Sequence, residues 1–221
     1  MFPVPPRVKI CCIASDDEAA LAVRYGASAI GLVSAMPSGP GPIEESRIRD
    51  IAQNVPPAVA TFLLTCSTSA DSIIRQQRYC GTNTLQLVDE VEIGTYARLR
   101  DGLPGIAIVQ VIHVRDETSI EEALRVAPDV NAILLDSGNP AAAVKELGGT
   151  GRRHDWSISR RIRESIDVPV FLAGGLNPAN VREAIETVQP FGVDVCSGLR
   201  SAGRLNEEKL TAFMAAVAGA R

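Results

Sequence analysis

Ile133 to Trp156, ILLDSGNPAAAVKELGGTGRRHDW, places three kinds of chemistry behind one short apolar run. Ile133-Leu134-Leu135 is too short and too sharply ended for a helix and reads as a buried strand, which puts Asp136 at a strand's C-terminal end. The turn cluster Ser137-Gly138-Asn139-Pro140 follows, and then Gly148-Gly149-Thr150-Gly151, whose glycines let backbone N–H groups approach an anion without side-chain obstruction. Taken singly, LLDSG is equally a capping Asp before a turn, and GGTG equally a flexible loop. The combination says more, because a second glycine-rich strand end, PVFLAGGLNP at 169–178, lies one helix further on.

Working outward, the whole chain alternates. After a proline-rich stretch at 1–7 that reads as a loose arm, strands are expected near 8–13, 29–33, 59–64, 84–88, 106–112, up to 136, 168–173 and 192–196. Helices are expected near 16–25, 44–53, 69–79, 91–100, 118–126, 157–165, 178–187 and 206–217. Ser15 with Asp16-Asp17-Glu18 forms an N-cap and an acidic first turn, Gly26 closes the first helix, Ser157 caps the sixth and Pro178 starts the seventh. Short, fully apolar strands alternating with helices argue for a parallel sheet covered by helices, with residues 8–221 as a single domain. Two architectures compete, an open doubly wound sheet and a closed (β/α)₈ TIM barrel. The glycine-rich ends follow strands six, seven and eight rather than strand one, where no G-x-G-x-x-G occurs, so the parallel eight-stranded barrel fits better and a dinucleotide is not indicated.

Composition narrows the function. With 221 residues, 46% hydrophobic, the chain has ample material for a core, and a net charge of −4 with acids and bases interspersed gives no footprint for nucleic acid or a membrane surface. The apolar runs stop short of the ~18–20 residues of a membrane span, and Met1 to Arg7 lacks a signal peptide's apolar core. The expectation is a cytoplasmic protein acting on a small molecule. Cys11, Cys12, Cys66, Cys80 and Cys196 are odd in number without C-x-x-C spacing, so neither a disulfide framework nor a zinc site is expected, and four of them read as packing residues.

VKIC at 8–11, SAIGLV at 28–33, LLDS at 134–137, GGTGRRHDW at 148–156, FLAGGLNPANV at 171–181 and GVDVCSG at 192–198, in that order, resemble the phosphoribosylanthranilate isomerase family. The resemblance implies a (β/α)₈ barrel and an Amadori rearrangement of a phosphorylated aminopentose in tryptophan biosynthesis, with no cofactor and no metal. It also implies a general-base cysteine after strand one, matched by Cys11, and a general-acid aspartate after strand six, matched by Asp136. A phosphate would lie on backbone N–H groups of Gly174-Gly175 and Ser197-Gly198, where a short helix beginning near 198 would present its N-terminus, with Gly149 contributing and Thr150 and Asp155 supporting.

Period-2 alternation puts Lys9 on the same side of strand one as Cys11 and sends Cys12 to the other, so Cys12 is read as packing. A charged Lys9 inside a barrel needs a partner, and Asp194 on the closing strand eight is the expected one. Lys9 would then be the cation that favours a Cys11 thiolate, since a free thiol ionises only near pH ~8.5. Asp136 must stay protonated to act as acid, which desolvation by a closing GGTG loop would favour.

The departures from the family all fall at the mouth. Cys12 stands where KICG has glycine, Pro40 where an arginine would hold the anthranilate carboxylate, and Gln86-Leu87-Val88-Asp89 replaces QLHG. His113, His154, Arg152, Arg153 and Gln86 are candidate mouth residues, with Arg115 a further possible cation; His154 is as well read as a packing residue. Three readings stay open: phosphoribosylanthranilate isomerase with another cation on the carboxylate, the same chemistry on another N-substituted phosphopentosylamine, and a non-catalytic phosphosugar-binding or regulatory protein. Oligomeric state is not legible.

Overall fold

The computed structural model describes residues 5–138, 142, 145, 147 and 151–220. Eight strands, β1 (Arg7–Ile10), β2 (Ala29–Val33), β3 (Ala60–Thr65), β4 (Thr84–Leu87), β5 (Ala107–His113), β6 (Ala132–Asp136), β7 (Val170–Leu172) and β8 (Gly192–Val195), pair in parallel and in chain order, and β8 returns to β1 to close a barrel. Around it run α1 (Asp16–Arg24), α2 (Glu45–Asn54), α3 (Ala70–Cys80), α4 (Thr95–Gly102), α5 (Thr118–Val126), α6 (Trp156–Ser165), α7 (Val181–Val188) and α8 (Glu207–Ala218). The expected eightfold alternation is therefore the architecture, and among the described residues no helix is long and apolar enough to cross a membrane.

Local chemistry sets most boundaries. Ser15 accepts the Glu18 N–H at 3.2 Å, and the acidic first turn of α1 complements the helix dipole. Gly81, at φ +69°, ends α3 in the left-handed conformation that glycine adopts without strain. Three expectations are corrected. Asp155, not Ser157, caps α6, accepting from the Ser157 N–H at 2.8 Å. The seventh helix begins at Val181, because Asn177 and Asn180 spend the residues after Pro178 on a turn in which the Asn177 N–H donates to the Asn180 side chain. Arg7 pairs with Gly192, so the strand begins inside the stretch read as a loose arm.

Period-2 alternation sorts the strands into two cores. Outward residues such as Ile10, Leu32, Leu63, Leu85, Ile112, Leu135 and Val193 pack under the helices, while Phe62, Leu64, Val109, Leu134 and Phe171 fill the barrel. The Phe62 and Phe171 rings meet edge to face, centroids 6.0 Å apart. An antiparallel two-residue ladder, β9 (Arg200–Ser201) with β10 (Arg204–Leu205), and a 3₁₀ turn at Ser197–Leu199 carry the chain from β8 to α8.

Where β1 and β8 close the barrel, Lys9 and Asp194 stand opposite each other in register and their charged heads meet at 2.9 Å. Lys9 is wholly buried. Burial pulls its pKa down, but the Asp194 charge, assisted by Cys11 and by the hydrogen bond to Asp194, outweighs that and holds it above its ordinary value. Removing one partner strands a buried charge. Lys9→Met is expected to cost roughly 3–5 kcal/mol in urea unfolding, whereas Lys9→Met with Asp194→Leu should recover most of it. A double variant no more stable than Lys9→Met would refute the coupling.

Candidate active site

The strand ends build the site. Cys11, just past β1, donates its N–H to the Val195 carbonyl at 2.8 Å and so continues the closing ladder by one residue. Asp136 ends β6, and both side chains line one cleft at the C-terminal mouth of the barrel. Gly31 on β2 makes room for the Cys11 thiol and the Lys9 ammonium: a Cβ there would sit 2.8 Å from Cys11 Sγ and 2.9 Å from Lys9 Nζ. The Lys9 ammonium is therefore a close neighbour of the Cys11 thiol, and it lies 5.2 Å from the centre of the Phe62 ring.

Asp136 accepts the Ser137 N–H at 2.7 Å. Burial raises its pKa; the Ser137 N–H and nearby His113 oppose this without overcoming it. A carboxyl so placed holds its proton longer than one in water. His113, opposite Asp136 in the β5–β6 register, bonds the Val88 carbonyl through Nε2 at 3.0 Å and leaves Nδ1 without a partner among the described residues. Gln86 also lines the cleft, buried, with an unpaired side-chain oxygen.

At the other end, Gly174 (φ +83°) and Gly175 (φ +65°) have backbone that other residues rarely adopt. A Cβ on Gly175 would lie 2.8 Å from the Arg152 carbonyl, so glycine is required for the β6 loop to rest on the β7 loop. Ser137 Oγ ties the same loop down, donating to the Arg152 carbonyl at 2.7 Å. Gly174, Gly175 and Ser197 line the cleft and Gly198 backs it, and no acceptor among the described residues takes their N–H groups. The expected short helix is the 3₁₀ turn at 197–199. Gly149 and Thr150 lie outside the described residues.

The remaining mouth residues divide. His154 packs, as one reading of the sequence had it: Nε2 meets Ser159 Oγ at 2.7 Å, and burial lowers its pKa to about 4. Asp155 is a helix cap. Arg153 stacks on the Trp156 ring at 3.8 Å and faces Glu183, away from the cleft. Arg115 lines a separate hollow with Glu122 and Arg125. No arginine or lysine is among the described residues that line the cleft, and Pro40 is.

Cys12 requires correction. It does not continue the strand to point away from Cys11. Its φ is +61°, β1 has already ended, and its thiol lies in the same cleft, 2.6 Å from Cys196 Sγ. Cys196 is likewise a cleft residue, not mere packing. Arg200 fixes this turn by bonding the Cys11 and Cys12 carbonyls and pairing with Glu18 at 3.0 Å, a network that no local pattern announces.

The match to a known family model, N-(5′-phosphoribosyl)anthranilate isomerase, spans residues 8–216. The chain belongs to this family. A relative named N-(5′-phosphoribosyl)anthranilate isomerase from Haloferax volcanii is 37% identical, over 97% of this chain and 94% of the relative; one of the same name from Methanocella arvoryzae is 33% identical, over 92% and 93%. The solved phosphoribosylanthranilate isomerase of Thermotoga maritima is 32% identical at a TM-score of 0.82, covering 97% of this chain and 99% of that one. Another structure of a phosphoribosylanthranilate isomerase, in complex with reduced 1-(o-carboxyphenylamino)-1-deoxyribulose 5-phosphate, is 30% identical at a TM-score of 0.79, with the same coverage. Within the family pattern, this chain keeps the cysteine, the aspartate and the glycine pairs; Cys12, Pro40 and Val88-Asp89 are its departures.

The raised pKa of Asp136 has a consequence for stability. A carboxyl that holds its proton more tightly when folded stabilises fully below the ordinary carboxylate pKa of about 3.9, and that contribution is lost as pH rises through the raised value. Asp136→Asn removes the burden of the ionised form. Urea unfolding should show the variant gaining on the parent as pH rises above about 4. A difference that does not change with pH would contradict the burial of an ionisable group.

Proposed function

We propose that this chain isomerises N-(5′-phosphoribosyl)anthranilate to 1-(o-carboxyphenylamino)-1-deoxyribulose 5-phosphate, an Amadori rearrangement in tryptophan biosynthesis. The observation that carries the reading is the single cleft shared by Cys11, Asp136 and the glycine ends of β7 and β8. Family membership supplies the substrate.

In the scheme, the phosphate rests on the free N–H groups of Gly174, Gly175, Ser197 and Gly198, with Gly149 a further donor and Thr150 in support, and this fixes the sugar across the mouth. Asp136 gives its proton to the ring oxygen as the ring opens to the C1′ imine. Cys11, as thiolate beside the Lys9 ammonium, takes the C2′ proton; the resulting enolamine becomes the ketone as the Cys11 thiol returns a proton to C1′ and the Asp136 carboxylate takes back one from the 2′-hydroxyl. One proton leaves carbon and one arrives, so the chemistry calls on no cofactor. We assign the reaction to residues 8–221 acting as one domain in the cytoplasm, with a phosphorylated aminosugar as partner and neither nucleic acid nor membrane required.

The anthranilate carboxylate meets neutral donors. Gly39 lines the mouth beside Pro40, where the family pattern leads one to expect an arginine, and Gln86 lines it from β4. Hydrogen bonds from neutral donors are worth about 1 kcal/mol against ~1.5–3 for charged ones, so the clamp is weaker rather than lost. Pro40→Arg should therefore lower KM by up to about tenfold with kcat little changed. An unchanged KM would place the carboxylate elsewhere.

Complementation of a tryptophan auxotroph lacking this isomerase, together with turnover of N-(5′-phosphoribosyl)anthranilate by the pure protein, tests the reading directly. No turnover would sink it. Given turnover, Asp136→Asn and Cys11→Ala should each cut kcat by ~10² to 10⁴ and leave phosphate affinity nearly unchanged. Near-full activity of Cys11→Ala would remove the thiol from the mechanism.

A further inference from the structure

Three thiols crowd one side of the cleft, and the isomerisation uses one. Cys12 lies between Cys11 and Cys196, with its Sγ 2.6 Å from Cys196 Sγ, closer than non-bonded sulfurs rest and about half an ångström beyond the roughly 2.05 Å of a disulfide. The two residues sit on adjacent strand ends, since β1 and β8 are paired up to Ile10 and Val195. We propose that Cys12 and Cys196 form a reversible oxidation site that closes to a disulfide with a peroxide while Cys11 remains a thiol.

The approach is built rather than incidental. Cys12 holds φ at +61°, a conformation that costs a side-chain-bearing residue energy, and the surroundings keep it there. Arg200 bonds its carbonyl, its thiol reaches the Pro40 carbonyl at 3.5 Å, and the β2 loop packs so tightly that a Cβ on Gly41 would stand 2.5 Å from Cys12 Cβ. The thiol is thus aimed at Cys196. A bond between Cys11 and Cys12 instead would have to close a small strained ring through one peptide.

The reaction has a defined order. Cys196 is partly open to the cleft and stands beside the Arg200 guanidinium. Its contact with the Cys12 thiol lowers the Cys196 pKa, burial opposes this and the Arg200 charge assists, whereas contacts with Cys11 and Cys196, together with burial, raise that of Cys12; Cys196 is thus the more readily ionised of the pair. The Cys196 thiolate attacks one peroxide oxygen, the O–O bond breaks, and the departing hydroxide takes a proton to leave as water, giving the sulfenic acid. Cys12 sulfur then attacks that sulfur, its proton leaves with the displaced hydroxide as a second water, and the S–S bond forms. Two thiols and one hydrogen peroxide become one disulfide and two waters. A dithiol reductant reverses it by exchange. The bond ties the turn that carries Cys11 to the loop that begins at Ser197.

The test reads thiols, not turnover, so it stands apart from the isomerase reading. Folded protein is treated with one equivalent of hydrogen peroxide, remaining thiols are alkylated, and the peptides are mapped without reduction. The expected result is a loss of two of the five thiols, a Cys12–Cys196 linked pair located by fragmentation, Cys11 still alkylated, and full reversal by dithiothreitol. Cys11→Ser should keep the link, whereas Cys12→Ser and Cys196→Ser should each abolish it. The proposal is overturned if Cys12 and Cys196 alkylate as freely after peroxide as before, if Cys11 is the residue linked, or if Cys11→Ser loses the bond while its far-ultraviolet circular dichroism matches the parent.

Discussion

The buried pair between Lys9 and Asp194 is the constraint on which the mouth depends. It joins the first strand to the last, so it stands at the seam where the ring closes, and its 2.9 Å contact fixes the register that puts Cys11 beside Val195. Two charges withdrawn from water gain little net stability by pairing. What the pair supplies is position: an ammonium locked under the thiol, in a space that exists only because residue 31 is glycine. A cation on a mobile side chain would lose part of its effect to solvent and to its own entropy.

How much of this was legible follows from how local each cause is. Strand and helix alternation is written in short periodic runs, and all eight strand–helix pairs occur in the expected order, with the starts of α4 and α7 shifted. The Lys9–Asp194 contact was legible too, because a charge on an inward position compels a partner and only the closing strand offered one. Cys12 was not, since alternation holds only while the strand does, and β1 stops two residues before it. The start of α4 was misplaced as well: a helix was expected from residue 91, but Gly94 takes φ +80° and the helix begins at Thr95. The β9–β10 ladder and the Glu18–Arg200 pair were invisible, the first because two-residue strands carry no period, the second because neither partner stands on a barrel strand whose register would bring them together.

Charge at the mouth poses the harder physical question. The proposed substrate brings a phosphate and a carboxylate to a chain of net charge −4, into a cleft whose described lining includes two aspartates and no arginine or lysine. Asp194 is neutralised by Lys9, so its negative charge is largely cancelled at the cleft. The phosphate is left to backbone dipoles, which carry no counter-charge but need no reorganisation when the anion arrives.

That arrangement bears directly on Asp136. An arginine near the mouth would lower the pKa of a neighbouring carboxyl and favour loss of the very proton the ring oxygen needs. The described lining of the cleft has none, and burial keeps that pKa raised against the Ser137 N–H, His113 and Lys9. A bound dianionic phosphate and a carboxylate push in the same direction, since like charge disfavours ionisation. In the proposed scheme the seated substrate's own charge therefore helps Asp136 to keep its proton, and a described lining without arginine or lysine favours the same outcome. At the Cys11 thiol, in the same scheme, the Lys9 ammonium beside it offsets part of that field, so the anionic ligand acts chiefly on Asp136.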